Sequence, residues 1–144
     1  MGDMNLPPRL QEHLDDLAMF PDRTERIEAL IDIGRGFSNP SSDDVPRTAE
    51  SRVPGCESEV YLRATPRPDG SLDFRYAVDN PQGISAMALA QILESGLSGV
   101  PRSEVVAVPE EFVYEVFGRE LSMGKSMGLM GMIRMAKAEA ARSS

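Results

Sequence analysis

The sequence predicts an α+β fold, in which a small antiparallel sheet of about three strands packs against helices. Two observations lead to this prediction. Apolar residues recur at helical spacing towards both ends of the chain, whereas two short central segments alternate apolar and polar residues as strands do. The segments with strand character follow one another without a helix between them, which is typical of α+β proteins rather than α/β proteins.

The length and composition suit one folded domain. The chain has 144 residues, of which 41% are hydrophobic, and we expect a single domain over residues 1–144. No apolar run reaches the roughly 18–20 residues of a membrane span. The first ten residues lack the apolar core of a signal peptide, so the sequence gives no indication of export.

Charge and cysteine content narrow the classes of partner. The formal net charge is −8, and because nucleic acids and anionic membranes select basic surfaces, we expect neither as a partner. One cysteine and one histidine cannot supply the ligands of a structural zinc site or an iron–sulfur cluster, so no metal and no cofactor are expected. A lone cysteine forms no intramolecular disulfide, which favours a reducing, cytoplasmic location.

Two helices are predicted at the start of the chain, followed by an irregular segment. The apolar face of the first helix is formed by Leu10, Leu14, Leu17 and Ala18. Asp22 is the predicted N-cap of the second helix, which Gly36 ends. Residues 38–55 contain three prolines and many Ser, Asp and Asn residues. This segment is therefore either a flexible linker or a functional loop.

A β-hairpin is predicted in the middle of the chain. Residues 59–65 and 72–78 alternate apolar and polar side chains, and the link Pro-Arg-Pro-Asp-Gly between them has turn chemistry. An isolated hairpin is only marginally stable, so we expect a third strand. It would come either from the residues just before Cys56 or from residues 105–108.

Three helices are predicted after the hairpin. The first begins near Asp79 and Asn80, with the asparagine as its cap, and is apolar on nearly all faces over residues 84–93, which is typical of a buried helix. The second opens at residue 109 with two acidic residues behind a proline, and Gly118 ends it. The last is predicted over residues 126–141.

The surroundings of Cys56 single it out as a candidate functional residue. It follows Gly55, which permits unusual backbone angles, and it directly precedes a predicted strand. Glu57 and Glu59 disfavour the thiolate form, whereas Arg52 favours it. From these residues alone, a small buried apolar side chain is the more common role of a lone cysteine.

Two segments resemble the SufE family of sulfur acceptors. Residues 55–62, Gly-Cys-Glu-Ser-Glu-Val-Tyr-Leu, are similar to the family's Gly-Cys-x-Ser-x-Val-aromatic segment. Residues 121–129 resemble its Leu-Ser/Thr-Pro-Ser-Arg-x-x-Gly-Leu element, with Lys125 in the place of the arginine and Met-Gly in the place of Pro-Ser. Asp79 matches the family's aspartate after the second strand, but the Lys-Gly pair that follows in the family is missing. The order of elements is similar over nearly the whole chain, as expected for a divergent member.

The resemblance implies a fold like those of SufE and IscU and a role in sulfur transfer. Cys56 would accept sulfur as a persulfide from a cysteine desulfurase, an enzyme that uses pyridoxal phosphate, and deliver it to an iron–sulfur assembly scaffold. The chain would stimulate the desulfurase and act as its sulfur-transfer partner rather than as a classical enzyme. The local charges and the resemblance together give the candidate residues that support Cys56 or contact a partner: Arg52, Gly55, Glu57, Ser58, Asp79 and Lys125.

Two alternatives stay open at this point. One is a non-catalytic protein-interaction module of the same fold, which the departures near Asp79 and Lys125 leave open. The other is a relative of the iron–sulfur scaffolds, which need about three cysteines where this chain has one. Residues 119–142 carry five Lys or Arg residues against two acidic residues, which suits either the end of a helix or the docking of a partner.

Overall fold

The computed structural model describes residues 6–55, 59–80, 83–119 and 121–142. Two helices precede a hairpin, and four helices follow it. In chain order the elements are α1 (Pro8–Ala18), α2 (Arg23–Arg35), β1 (Val60–Pro66), β2 (Leu72–Val78), α3 (Ile84–Leu97), α4 (Arg102–Val106), α5 (Phe112–Phe117) and α6 (Met123–Ala141). The strands lie together in the sequence and the helices lie on either side, which confirms the α+β class.

The predicted hairpin is confirmed, but the third strand is not. The strands pair antiparallel with Val60 opposite Val78, and the sheet of the described residues contains these two strands alone. The residues before Cys56 add a single bridge, between Arg52 and Tyr61. The other candidate for a third strand is wrong because Val105 lies in α4, a short helix that the sequence did not predict.

Side chains take the place of a further strand along the free edge of β2. Three alternate N–H groups of this edge donate to side-chain oxygens of other elements. The pairs are Phe74 to Ser98 Oγ (2.9 Å), Tyr76 to Glu94 Oε2 (2.8 Å) and Val78 to Asn39 Oδ1 (2.9 Å). Because these backbone donors already have acceptors, the edge needs no neighbouring strand to satisfy them.

The main core lies between one face of the hairpin and the helices, with α3 at its centre. Leu89, Ile92 and Leu93 of α3 are fully buried, as the apolar run over residues 84–93 predicted. Gly96 leaves room for Leu10 of α1 to pack directly against the α3 backbone. Helix α3 is therefore covered by other elements on most sides, which explains its lack of a polar face.

The irregular segment covers the opposite face of the hairpin. Val45 forms a small buried cluster there with Tyr61 of β1 and Ala77 of β2. Val53, at the end of the same segment, joins the main core. Residues 38–55 are thus a packed part of the fold, and the expectation of a flexible linker is wrong.

Helix boundaries agree with the sequence in some places and differ in others. Asp22 caps α2 by accepting a hydrogen bond from the Thr24 N–H (3.2 Å), as predicted. The N-cap of α3 is Gly83 rather than Asn80, and α6 begins three residues before the predicted start, with Ser122 as its cap. No helix in the described ranges combines the length and the apolar character needed to cross a membrane.

One buried hydrogen bond joins β2 to α6 and allows a test of the packing. The Tyr76 hydroxyl donates to the Met132 carbonyl at 2.8 Å. We expect Tyr76→Phe to lower the free energy of unfolding by about 1–2 kcal/mol, measured by urea denaturation, because a buried polar contact is lost. The matched control, Tyr61→Phe, removes a hydroxyl bond to the exposed Glu59 (3.1 Å) and should cost less than about 0.5 kcal/mol. Equal losses in the two variants would contradict this assignment.

Candidate functional site

The candidate site lies around the cysteine segment, at the end of the hairpin where Val60 and Val78 pair. The chain leading to the cysteine runs antiparallel to the start of β1, and the Val53 N–H donates to the Val60 carbonyl at 2.8 Å. The site is built from the residues on either side of the cysteine. Three residues named by the sequence lie outside the described ranges: Cys56, Glu57 and Ser58.

Both described neighbours of the cysteine segment are held in defined positions. Gly55 has φ +81°, a left-handed conformation that disfavours other residues, and a Cβ there would meet no atom within 4 Å. The glycine is therefore required by the backbone conformation rather than by lack of space. On the other side, the Glu59 carbonyl accepts a hydrogen bond from the Asp79 N–H at 2.9 Å. Gly55 and Glu59 are both exposed.

Helix α6 packs against Val53 and Pro54, which precede the cysteine in the sequence. A Cβ on Gly131 would lie 2.7 Å from the Pro54 carbonyl oxygen and 3.3 Å from Val53 Cγ1. The helix backbone thus contacts the segment directly, two residues before the cysteine. Gly131 was not predicted from the sequence, although a glycine inside a helix costs about 1 kcal/mol relative to alanine and often marks a close approach.

Asp79 binds the irregular segment rather than capping a helix. Its carboxylate accepts from Arg47 Nε at 2.9 Å and from Arg47 Nη2 at 3.0 Å, which is the bidentate geometry of strong charge-assisted hydrogen bonds. Asn39 Nδ2 donates to the same carboxylate at 3.1 Å. These contacts correct the expectation that Asp79 helps to start α3. We call Asn39, Arg47 and Asp79 the loop clamp.

Arg47 also organises the segment to which it belongs. Its guanidinium donates to the carbonyls of Val45 and Pro40, both at 2.7 Å, and lies 5.8 Å from the centre of the Tyr61 ring. The hydrogen bonds from Arg47 lower the pKa of Asp79, and the hydrogen bond from Asn39 lowers it further. Partial burial acts in the opposite direction, but its effect on the pKa is smaller. The carboxylate therefore stays ionised, and the clamp intact, well into the acidic range.

Arg47 and Asn39 were not singled out by the sequence. Their signal is weak, because they lie 32 and 40 residues from the aspartate that they bind. The available hint is an arginine within a long segment of poor secondary-structure propensity, where backbone carbonyls need donors from side chains.

The remaining predicted residues fall in two places. Arg52 is exposed and forms an isolated backbone β-bridge with Tyr61. It therefore lies with Gly55 and Asp79 at the end of the hairpin. Lys125 lies in the first turn of α6 and lines an apolar pocket of about 250 Å³, together with residues of α2 and α3. The structure thus brings Arg52, Gly55 and Asp79 to one end of the hairpin and places Lys125 in a separate feature.

The histidine of the chain has a packing role between helices. His13 of α1 lies with Nε2 at 2.6 Å from Ser95 Oγ of α3, and burial lowers its pKa. No local pattern in the sequence indicates this contact, because His13 and Ser95 are 82 residues apart. Within the described part of the chain, no three His, Cys, Asp or Glu side chains are close enough together to hold a metal ion.

A comparison with known protein families identifies the family of this chain. The family model of SufE, described as an Fe-S metabolism associated domain, matches residues 11–140. The chain belongs to the SufE family. Membership confirms the resemblance carried by residues 55–62 and 121–129, and it associates the chain with iron–sulfur metabolism and with sulfur transfer in general.

SufE relatives occur both as proteins of similar length and as parts of longer ones. An uncharacterized SufE-like protein of Rhizobium meliloti is 27% identical, with 91% of this chain and 94% of that protein aligned. SufE-like protein 1 of Arabidopsis thaliana, described as chloroplastic/mitochondrial, is 28% identical over 94% of this chain, but the match covers 35% of the plant protein. A chloroplastic quinolinate synthase of rice is 31% identical over 74% of this chain and 14% of its own length.

A solved structure shows the same fold. The solution structure of a hypothetical protein from Thermus thermophilus aligns with a TM-score of 0.67 at 22% identity, covering 94% of this chain and 95% of the other. This SufE-family chain therefore keeps its architecture at low sequence identity. The prediction that the fold is α+β, with helices packed on a small antiparallel sheet, is confirmed.

The loop clamp gives a pH-dependent prediction. Asp79→Asn keeps the shape but removes the charge, and we expect it to lower the free energy of unfolding by about 1–2 kcal/mol at pH 7. Because the clamp lowers the pKa of Asp79, its stabilisation is complete above the ordinary aspartate pKa of about 3.9 and is lost as the pH falls through the lower folded value. Urea unfolding at neutral and acidic pH measures this loss. The exposed Asp43→Asn is the control, and a difference between Asp79→Asn and wild type that does not change with pH would contradict the mechanism.

The contact at Gly131 gives a second prediction. Gly131→Ala places a methyl group against the Pro54 carbonyl, so we expect lower stability and faster alkylation of Cys56, because the segment is displaced from α6. The matched control is Gly124→Ala, in the exposed first turn of the same helix, where the higher helix propensity of alanine should stabilise by less than about 1 kcal/mol. Thermal unfolding and the rate of thiol labelling measure both effects. Unchanged labelling in Gly131→Ala would show that α6 does not position the segment.

Proposed function

We propose that Cys56 accepts the terminal sulfur of a persulfide on a PLP-dependent cysteine desulfurase, and that the chain stimulates this enzyme and delivers the sulfur to an iron–sulfur assembly scaffold. One observation carries the proposal. The lone cysteine of this SufE-family chain follows an exposed glycine, Gly55, close to the end of the hairpin where Val60 and Val78 pair. A partner protein can approach this end because both described neighbours, Gly55 and Glu59, are exposed.

The transfer is an exchange between sulfur atoms and needs no oxidant. The Cys56 thiolate, after releasing its proton to solvent, attacks the terminal sulfur of the desulfurase persulfide. A new S–S bond forms on Cys56 while the S–S bond of the donor breaks, and the donor cysteine leaves as a thiolate that takes up a proton. Delivery to the scaffold repeats the exchange, so Cys56 returns to its thiol form.

The absence of a second thiol in the sequence suits a carrier. A neighbouring cysteine would attack the persulfide, form a disulfide and release the sulfur as sulfide. With one cysteine in the chain, the bound sulfur stays on Cys56 until the next protein accepts it. The loop clamp and α6 hold the residues on either side of the cysteine in place. Less conformational entropy is therefore lost when the thiol aligns with a donor.

Several finer expectations belong to the same proposal. Residues 1–144 form one SufE-like domain, and the protein works without a cofactor of its own in a reducing, cytoplasmic setting. The chloroplastic/mitochondrial description belongs to the Arabidopsis relative, and the location of this chain stays a prediction. The proposed supporting and partner-contacting residues are Arg52, Gly55, Glu57, Ser58, Asp79 and Lys125.

Mass spectrometry of the intact protein tests the proposal. The chain is mixed with its cognate cysteine desulfurase and free cysteine, and its mass is measured without reductant. We expect an added mass of one sulfur atom (about 32 Da) on the wild type and none on Cys56→Ser. Asp79→Asn is the informative second variant, because a looser clamp should change the rate of labelling but not its site. Absence of the adduct on the wild type would leave the non-catalytic interaction module as the better description.

A further inference from the structure

Helix α2 presents two faces of opposite chemistry. One face combines a cation with apolar side chains and lines the pocket that contains Lys125. Its residues are Arg23, Ile27, Leu30 and Ile31. The other face lines a cleft against α1 and is acidic, with Glu25, Glu28 and Asp32 beside Asp16 of α1. The two sides of this helix therefore differ in charge.

The pocket on the cationic side is one end of a longer groove. The first cavity, of about 250 Å³, reaches from α2 to Ile84 in the first turn of α3 and to Lys125. A second cavity, of about 400 Å³, shares part of the α2 wall and Phe117 and extends to Phe20 and Tyr114. We call the two cavities together the α2 groove. Adjoining cavities along a helix suit a row of side chains from a peptide better than one small molecule.

Two partly exposed apolar side chains lie in the wall of the α2 groove. They are Phe20 and Ile27, which are 39% and 44% exposed. Apolar side chains that stay exposed in a groove mark interaction sites.

The charge of the groove differs from that of the whole chain. Among its described lining residues the cations are Arg23, Arg26 and Lys125, against one carboxylate, Glu115. The Arg26 guanidinium donates to the backbone carbonyls of Glu115 and Val116, which fixes α5 against α2. Arg119 adds a further cation, 5.6 Å from the centre of the Tyr114 ring. A cationic groove on a chain of net charge −8 selects an acidic partner.

We propose that the α2 groove docks an acidic amphipathic helix of a protein partner. The apolar face of that helix fills the two cavities, and its carboxylates pair with Arg119 and Lys125. This inference shares Lys125 with the proposed partner-contacting residues, but it does not use the thiol chemistry of Cys56. Its test on a chain without the thiol can therefore fail while the proposed sulfur transfer holds.

A synthetic helical peptide tests the inference on the full chain carrying Cys56→Ser, which removes thiol chemistry. The peptide has about four turns, with Leu on one face and Glu on the other. We expect it to shift the backbone NMR signals of α2 and of the first turns of α3 and α6 in a saturable titration, with a Kd below about 1 mM that rises with salt. A peptide with Lys in place of every Glu, and a scrambled peptide of the same composition, should leave these signals unchanged.

Matched variants locate the binding site. Ile27→Glu and Lys125→Glu should each weaken binding of the acidic peptide about tenfold or more. The controls are Val106→Glu, at a position on α4 that is 41% exposed, and Arg35→Glu, in the exposed last turn of α2, and neither should change the Kd. Circular dichroism confirms that each variant is folded. Three results would overturn the proposal: shifts outside the groove, the same affinity with and without Ile27→Glu, or no binding at 1 mM peptide. That concentration is about the weakest affinity that the proposal allows.

Discussion

The Arg47 guanidinium is the group on which the arrangement of the candidate site depends. It joins the Asp79 carboxylate to two carbonyls of the irregular segment, those of Val45 and Pro40. Residues 38–55 contain no helix and neither strand of the hairpin, and turns supply part of their backbone hydrogen bonds. Arginine side chains supply further donors to the carbonyls of this segment: Arg47 donates to two of them, and Arg63 and Arg75 to one each. Arg47 also binds Asp79, and it thereby ties the segment to the end of the hairpin beside Cys56.

The periodic parts of the fold were predictable from the sequence, and the third strand shows why the prediction stopped there. Alternation identified the hairpin, and the apolar run over residues 84–93 identified α3, because both patterns report burial directly. The strand expected beside the hairpin is replaced by Ser98, Glu94 and Asn39, which accept the edge N–H groups of β2. Hydrogen bonds between distant side chains and a strand edge leave no periodic pattern in the sequence.

The candidate site was predictable where the sequence carries a local signature. Gly55 and Cys56 stand in such a signature, and the positive φ of Gly55 gives a physical reason for that glycine. Arg47 and Gly131 were missed because each acts on a part of the chain far away in sequence. Asp79 was identified by resemblance, but its place in the loop clamp was not predicted, since only the folded chain brings Arg47 to it.

The covered edge of β2 has a consequence for the behaviour of the protein in solution. An open strand edge is a template on which another chain can add a strand, and this is a common route to aggregation and fibre formation. Here the edge donors of Phe74, Tyr76 and Val78 are occupied by acceptors of the same molecule. At these three positions the edge of β2 therefore offers no free donor on which a second copy could add a strand.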